Sequence, residues 1–237
     1  MMNYGYQRRV TFGTGPMTKG VKYLLFICVG VFLLQLVVSP AIAILFGLVP
    51  VLVWKKYFFW QIGTYIFLHG SPFHLLFNLF ALWMFGCEIE RQWGTRNFLK
   101  YFFITGIGAG ICYVLVNAGQ RIPVVGASGA IYGILLAYGM IFPNRMIYVW
   151  FLFPIRAKYF VMIFGAIELY ASITGAGGGI AHVAHLGGML FGYIYMNYLR
   201  IIRRVYMGFL QHKLRKSKKN VYIFDVKKKG DKDQFFH

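Results

Sequence analysis

The sequence predicts an all-α integral membrane protein, a bundle of six transmembrane helices with both termini in the cytoplasm. Of its 237 residues, 59% are apolar and only 13% charged, too little polar surface to cover a water-soluble globule. Apolar runs begin near Lys22, His74, Asn97, Ser128, Ala157 and Ile180, and each is long enough to cross a bilayer, which takes roughly 17 to 25 residues. The basic residues are also partitioned. Of the 25 Lys and Arg, only Lys55, Lys56 and Arg121 fall in the odd-numbered loops, while twelve follow Tyr198. The positive-inside rule then places both termini and the even loops in the cytoplasm, in agreement with an even number of spans.

That partition also decides what the net charge of +19 means. Charge sorted by membrane side serves topology and anionic lipid, so membrane lipids rather than nucleic acid are the expected charged partners. The chain divides into a polar leader (1–20), a six-span domain (21–200) and a basic cytoplasmic tail (201–237), with no room for a second folded domain. The run from Lys22 to Ala41 and Ala43 imitates a signal peptide. Its removal would leave five spans and put the basic tail outside, so the first span is read as retained.

Span one (about 22 to 46) contains Pro40, a kink-forming residue. The following outer loop, Val49 to Phe73, carries Trp54, Tyr57, Phe58, Phe59, Trp60 and Tyr65, which read as an aromatic belt at the membrane interface. Span two places His74 and Asn78 four residues apart, on one face near the outer end of an apolar helix. Polar side chains there face a bundle interior or a wet cavity. The span closes on Glu88 to Gly94, a charged turn suited to capping and ion pairing. Span three (97 to 117) bears Gly106, Gly108 and Gly110, which permit close helix approach.

Span four opens with Gly126-Ala127-Ser128-Gly129, and Gly129 and Gly133 make a small-residue step on it, with Tyr132 one turn below Ser128. Between spans four and five, Pro143 and Pro154 bracket an aromatic interfacial segment. Span five (157 to 173) carries Glu168 near its outer end, and Thr174 to Gly179 reads as a flexible outer loop. Span six holds His182 and His185, followed by Gly188 and Gly192 as a second small-residue step. Cys28, Cys87 and Cys112 fall inside spans without paired spacing and read as apolar fillers.

Spans two, four and six all enter from the outside, so their first turns share a depth. His74, Asn78, Ser128 and His185 therefore converge just below the outer surface. A serine hydroxyl becomes a nucleophile when a base takes its proton, and an imidazole can do so and later protonate a leaving amine. With no Asp or Glu in the first turns of these three helices, the expectation is a Ser128–His185 dyad. Tyr132 packs on the His185 ring, and the oxyanion is held by the Ser128 N–H with the His74 and Asn78 side chains. Gly126 and Gly129 keep the backbone beside Ser128 uncrowded. No His-Glu-x-x-His motif is present, the three aspartates (Asp225, Asp231, Asp233) all lie in the tail, and Ala130 breaks the Gly-x-Ser-x-Gly pattern. No cofactor or metal is expected. A transporter would show broken helices and midplane charges, whereas these polar groups cluster at the outer third.

Gly126-Ala127-Ser128-Gly129, His74 with Asn78, and Ala184-His185-Leu186-Gly187-Gly188 with Gly192 resemble the rhomboid intramembrane serine proteases of the prokaryotic six-span type. The resemblance runs from about Trp60 to Tyr198 and includes the Glu90 to Gly94 turn and Tyr132. It implies Ser128 as nucleophile, His185 as general base with His182 a companion, and His74 and Asn78 in the oxyanion hole. It also implies single-pass transmembrane protein substrates cut near the outer face of a bacterial inner membrane. The alternative it leaves is an inactive rhomboid-like binding or quality-control protein, whose usual mark is loss of the serine or histidine. Where some bacterial members carry Trp-Arg in the first outer loop, this chain has Trp60-Gln61.

Overall fold

A computed structural model describes residues 15–38, 41–149, 152–175, 181–198, 201 and 205–209. The chain forms two units, 1–194 and 195–237. The described residues of the second are helical, over 195–198, 201 and 205–209. Expectations for the leader before residue 15, Pro40, the glycine run 176–180 and the tail after 209 lie outside the described residues.

In the first unit, α1 (Lys19–Val37) is followed by three short helices, α2 (Ala41–Phe46), α3 (Pro50–Lys56) and α4 (Gln61–Thr64), the last ending in a 3₁₀ turn at Tyr65–Phe67. Next come α5 (Pro72–Ala81), a π turn at Leu82–Gly86, and α6 (Cys87–Trp93), which together make one helical rod. α7 (Thr95–Val116), α8 (Ser128–Ile141), α9 (Ala157–Thr174) and α10 (181–194) complete the unit. Among the described residues, four helices are long and apolar enough to cross a membrane: Lys19–Val37, Pro72–Trp93, Thr95–Val116 and Ala157–Thr174. α8 is apolar but has only 14 residues, about 21 Å of rise against a hydrocarbon core of about 30 Å.

Outward faces are apolar: Val37 on α1 is 83% exposed and Ile173 on α9 76%. Such faces match hydrocarbon rather than water. α8 is instead enclosed, packing most extensively on α7 and also on α9 and the π turn. Small residues permit this. A Cβ at Gly129 would lie 2.6 Å from the Ala109 side chain of α7, and one at Gly188 of α10 would lie 1.9 Å from the Gly129 carbonyl oxygen. The glycine steps of α8 and α10 therefore meet, Gly188 against Gly129 and Gly192 with its Cβ position 3.4 Å from the Gly133 Cα and 2.5 Å from the Tyr101 hydroxyl, while α8 also admits Ala109 and Thr105 of α7.

Buried polar side chains brace the ends of these helices. Glu90 of α6 accepts hydrogen bonds from the Gly20 and Val21 N–H groups, each at 2.8 Å, and from the hydroxyls of Thr18 at 2.5 Å and Thr95 at 2.6 Å. A carboxylate thereby caps α1 from another helix, where the N-terminal dipole favours negative charge. On the same loop side, Glu88 pairs with Arg91 and Arg145 at 3.1 and 2.6 Å.

The outer loop differs from a plain aromatic belt. Gln61 is fully buried, its amide donating to the Ile44 carbonyl at 2.8 Å and its oxygen accepting from the Val49 N–H at 3.0 Å. At the position where some bacterial rhomboid members carry an arginine, this side chain serves as a loop brace. Tyr65 is also buried and donates to the Gly106 carbonyl at 2.7 Å, so it belongs to the core. A second difference is local within a mostly helical chain: β1 (Met146–Val149) pairs antiparallel with β2 (Phe153–Arg156) in the segment read as interfacial. Aromatic and β-branched residues favour strands, and Pro154 at a strand edge disfavours helix.

Replacing Glu90 with Ala would orphan two helix N–H groups and two hydroxyls. Glu90→Ala is expected to cost about 3 kcal/mol or more, read as a lower thermal unfolding midpoint in detergent, with Glu90→Gln intermediate. At Gly188 the obstructing atom is backbone and cannot swing aside. Gly188→Ala is expected to force α10 off α8 at a cost of about 1–3 kcal/mol, measurable in the same melt.

Candidate active site

Ser128 is the first residue of α8, and helical hydrogen bonding begins with the Ile131 N–H to Ala127 carbonyl bond. The N–H groups of Ser128, Gly129 and Ala130 therefore have no acceptor within the helix and point toward its open end. The segment entering α8 is held in place by its neighbours. Leu48 and Val124 form an antiparallel bridge, and the Gly126 N–H donates to the Tyr65 carbonyl at 2.9 Å. Gly126 has φ +125°, and a Cβ on it would lie 2.8 Å from Cε1 and Nε2 of His74. Glycine is needed there both for the backbone and for the imidazole beside it.

His185 Nε2 lies 2.7 Å from Ser128 Oγ. The His185 ring stacks on Tyr132, with centroids 4.4 Å apart and planes inclined by 11°. His74, Asn78, Gly126, Ser128, Tyr132 and His185 line one cavity of about 440 Å³, whose remaining wall is largely apolar and includes Phe77, Phe80, Phe160 and Phe164. One amide hydrogen of Asn78 is committed to the His74 carbonyl at 2.8 Å, and an Asn amide carries two. His74 itself is fixed by the start of α5, where Ser71 Oγ accepts from the His74 N–H at 3.1 Å and Pro72 occupies the first turn.

Two further residues stand beside the site: His69, which the sequence reading passes over, and Glu168, which it notes on span five as a lone intramembrane carboxylate. His69 is buried beside His74, with ring centroids 5.3 Å apart. Burial, and secondarily His74, pushes its pKa down to about 4, so the ring is neutral at neutral pH and adds no charge beside the cavity. The more consequential of the two is the carboxylate, whose contact with the histidines the sequence does not show. Glu168 of α9 lies with Oε2 3.0 Å from His185 Nδ1 and 2.5 Å from His182 Nδ1, and its Oε1 accepts a hydrogen bond from the Tyr132 hydroxyl. The expectation of a histidine with no carboxylate beside it came from inspecting three helices, and a fourth supplies one. The Nδ1 contact is close in distance but poorly aligned as a hydrogen bond.

The arrangement has the elements of acyl transfer: a hydroxyl, an imidazole nitrogen within proton-transfer distance, and free backbone N–H groups at a helix start. Gly126→Ala would strain the backbone and displace His74. It is expected to slow labelling of Ser128 by a fluorophosphonate probe by at least about tenfold, read as fluorescence of the labelled band against time.

The Rhomboid domain family matches residues 56–201. Over 138 residues the chain is 29% identical to Rhomboid protein 1, mitochondrial, of Saccharomyces cerevisiae, covering 56% of this chain and 40% of that protein. It is 32% identical over 136 residues to Rhomboid protease GluP of Bacillus subtilis, covering 56% of this chain and 25% of that protein. With the bovine Presenilin-associated rhomboid-like protein, mitochondrial, it shares 34% identity over 136 residues, covering 56% of this chain and 36% of that protein. The chain thus matches less than half the length of these relatives. The family match covers the π-interrupted helix, the enclosed α8 and both residues of the Ser128–His185 contact, and on it this integral membrane protein belongs to the rhomboid family.

Proposed function

We propose that this chain is an intramembrane serine endopeptidase that cuts transmembrane segments of single-pass membrane proteins near the outer face of a bacterial cell membrane. Ser128 is the nucleophile and His185 the general base. The single observation that carries this reading is the 2.7 Å contact between Ser128 Oγ and His185 Nε2, made at the open start of an enclosed, short helix. The membrane arrangement that goes with it has six spans within residues 21–200 and cytoplasmic termini. α8 and α10 supply the two further spans beside the four long helices.

The steps follow from the geometry. His185 Nε2 takes the Ser128 hydroxyl proton as Oγ attacks the scissile carbonyl carbon. The resulting oxyanion is stabilised by the Ser128 N–H, the His74 ring and the remaining Asn78 amide hydrogen. The imidazolium then gives its proton to the leaving amine, and a water activated by the same nitrogen hydrolyses the acyl-enzyme. A transmembrane substrate hides its carbonyls in helical hydrogen bonds, so it must unwind before attack. Gly or Pro near the scissile bond lowers that cost, and the aromatic wall of the cavity suits an extended apolar chain. Conversely, the retained serine and histidine oppose the reading as an inactive binding protein.

The test is cleavage of a single-span substrate by purified protein in detergent and in liposomes. Wild type is expected to yield a fragment cut within or beside the substrate span. Ser128→Ala should lower the rate by about 10³-fold or more, as read by mass spectrometry of the products. Cleavage by the alanine variant at the wild-type rate would overturn the assignment.

A further inference from the structure

Glu168 is a buried carboxylate that the mechanism above does not use. It is 6% exposed, in a helix whose outer face is lipid-like, where an ionised group is costly unless charged partners or hydrogen-bond donors surround it. The other two glutamates have evident structural duties, Glu88 with Arg91 and Arg145 and Glu90 at the start of α1. Glu168 is surrounded by site residues instead: the Tyr132 hydroxyl from α8, and His182 and His185 from α10.

The direction of each contact matters. Oε1 is held by Tyr132, the residue whose ring stacks on His185. Oε2 lies between the Nδ1 atoms of His182 and His185. An acceptor-only carboxylate facing His185 Nδ1 requires the proton there, and a neutral imidazole protonated at Nδ1 presents a lone pair at Nε2. Nε2 is the atom 2.7 Å from Ser128 Oγ. The carboxylate therefore selects the tautomer that can accept the serine proton and offsets the positive charge that forms on the ring. Poor Nδ1 alignment in the resting state is compatible with this, because such bonds tighten when the imidazolium forms.

We propose that Glu168 is a positioning residue of this active site, holding His185 with Nδ1 protonated so that Nε2 accepts the Ser128 proton, with Tyr132 and His182 fixing the carboxylate. The inference rests on the serine protease reading and extends its two-residue mechanism to three. The ligand atoms of Glu168, His182 and His185 also lie within 4.8 Å of one another, a combination of types that zinc uses. The experiment therefore includes a chelator.

Full-length wild type, Ser128→Ala, Glu168→Gln, Glu168→Asp and Tyr132→Phe are compared in detergent by kcat and KM on a fluorogenic transmembrane peptide, with a thermal melt of each. Glu168→Gln is expected to lower kcat by about 10²-fold or more while KM stays within about threefold. Glu168→Asp should recover at least about tenfold of that loss, because it restores the charge. Tyr132→Phe keeps the stacked ring but removes one donor to the carboxylate, and should lower kcat by about three- to tenfold at unchanged KM. EDTA should change none of these rates. If Glu168→Gln fails to fold, Tyr132→Phe decides by the same split.

A Glu168→Gln enzyme within about threefold of wild-type kcat, or altered only in KM, would overturn the inference. So would activity that EDTA abolishes and zinc restores, since the carboxylate would then serve a metal. Failure of the protease reading is separate. It would show as a wild type that does not cleave, or as cleavage by Ser128→Ala.

Discussion

The absent side chain at Gly188 is the constraint on which the site depends. Because α10 rests directly on the Gly129 carbonyl, His185, one turn earlier, reaches the first residue of α8. A single methyl group at 188 would have to occupy space 1.9 Å from a backbone oxygen. In hydrocarbon, where no hydrophobic force draws helices together, close packing of this kind is what associates them. The same small-residue surface that holds the bundle together therefore sets the distance between Ser128 and His185. α8 is held on its other side as well, since Gly129 also admits Ala109 of α7. A helix gripped from both sides offers its first residue in one position.

The buried polar groups divide between those that hold the helices and those that meet at the cavity. Glu90 and Gln61 each satisfy backbone groups that would otherwise be stranded at helix or loop ends. Their removal would cost the full desolvation of those groups. Glu168 satisfies no backbone group among its named partners; they are a phenol and two imidazoles. That difference in partners separates a carboxylate that caps a helix from one that meets the residues beside the cavity, and neither burial nor residue type would have distinguished them.

Ser128, His185, His74 and Asn78 could be picked out of the sequence because alternate spans run the same way, which puts the first turns of three of them at one level, and all four line one cavity. Glu168 could not be found by that search. It sits in the last two turns of α9, which runs the opposite way, so its end rather than its start reaches the level of the cavity. The signal was present in the same parity argument, applied to the closing turns of outward-running spans. Tyr65 reads as an interfacial aromatic in the sequence because composition does not show whether a loop folds inward; its contact with Gly106 is 41 residues away in sequence. The β1–β2 hairpin was hidden for a related reason: a short apolar run has no periodicity strong enough to separate strand from helix. The six-span outline rested on run length, which overstates α8 as an independent crossing element.

The shortness of α8 links topology to chemistry. A full-length span would carry its N-terminus to the membrane surface, where water competes for the exposed N–H groups and screens the charges around them. With about 21 Å of rise, α8 is shorter than the four long helices, and Ser128 at its start lines the cavity between helices. A helix start at such a cavity combines two conditions that rarely coincide in a bilayer: unpaired backbone donors and a low local dielectric. The donors open into a cavity whose wall is largely apolar but carries Ser128, His74, Asn78 and His185, and a low dielectric there strengthens the electrostatic interactions of these groups relative to water. The loop beside the cavity is also braced. Gln61, Tyr65 and the Leu48–Val124 bridge fix the wall through which the Gly126 segment enters.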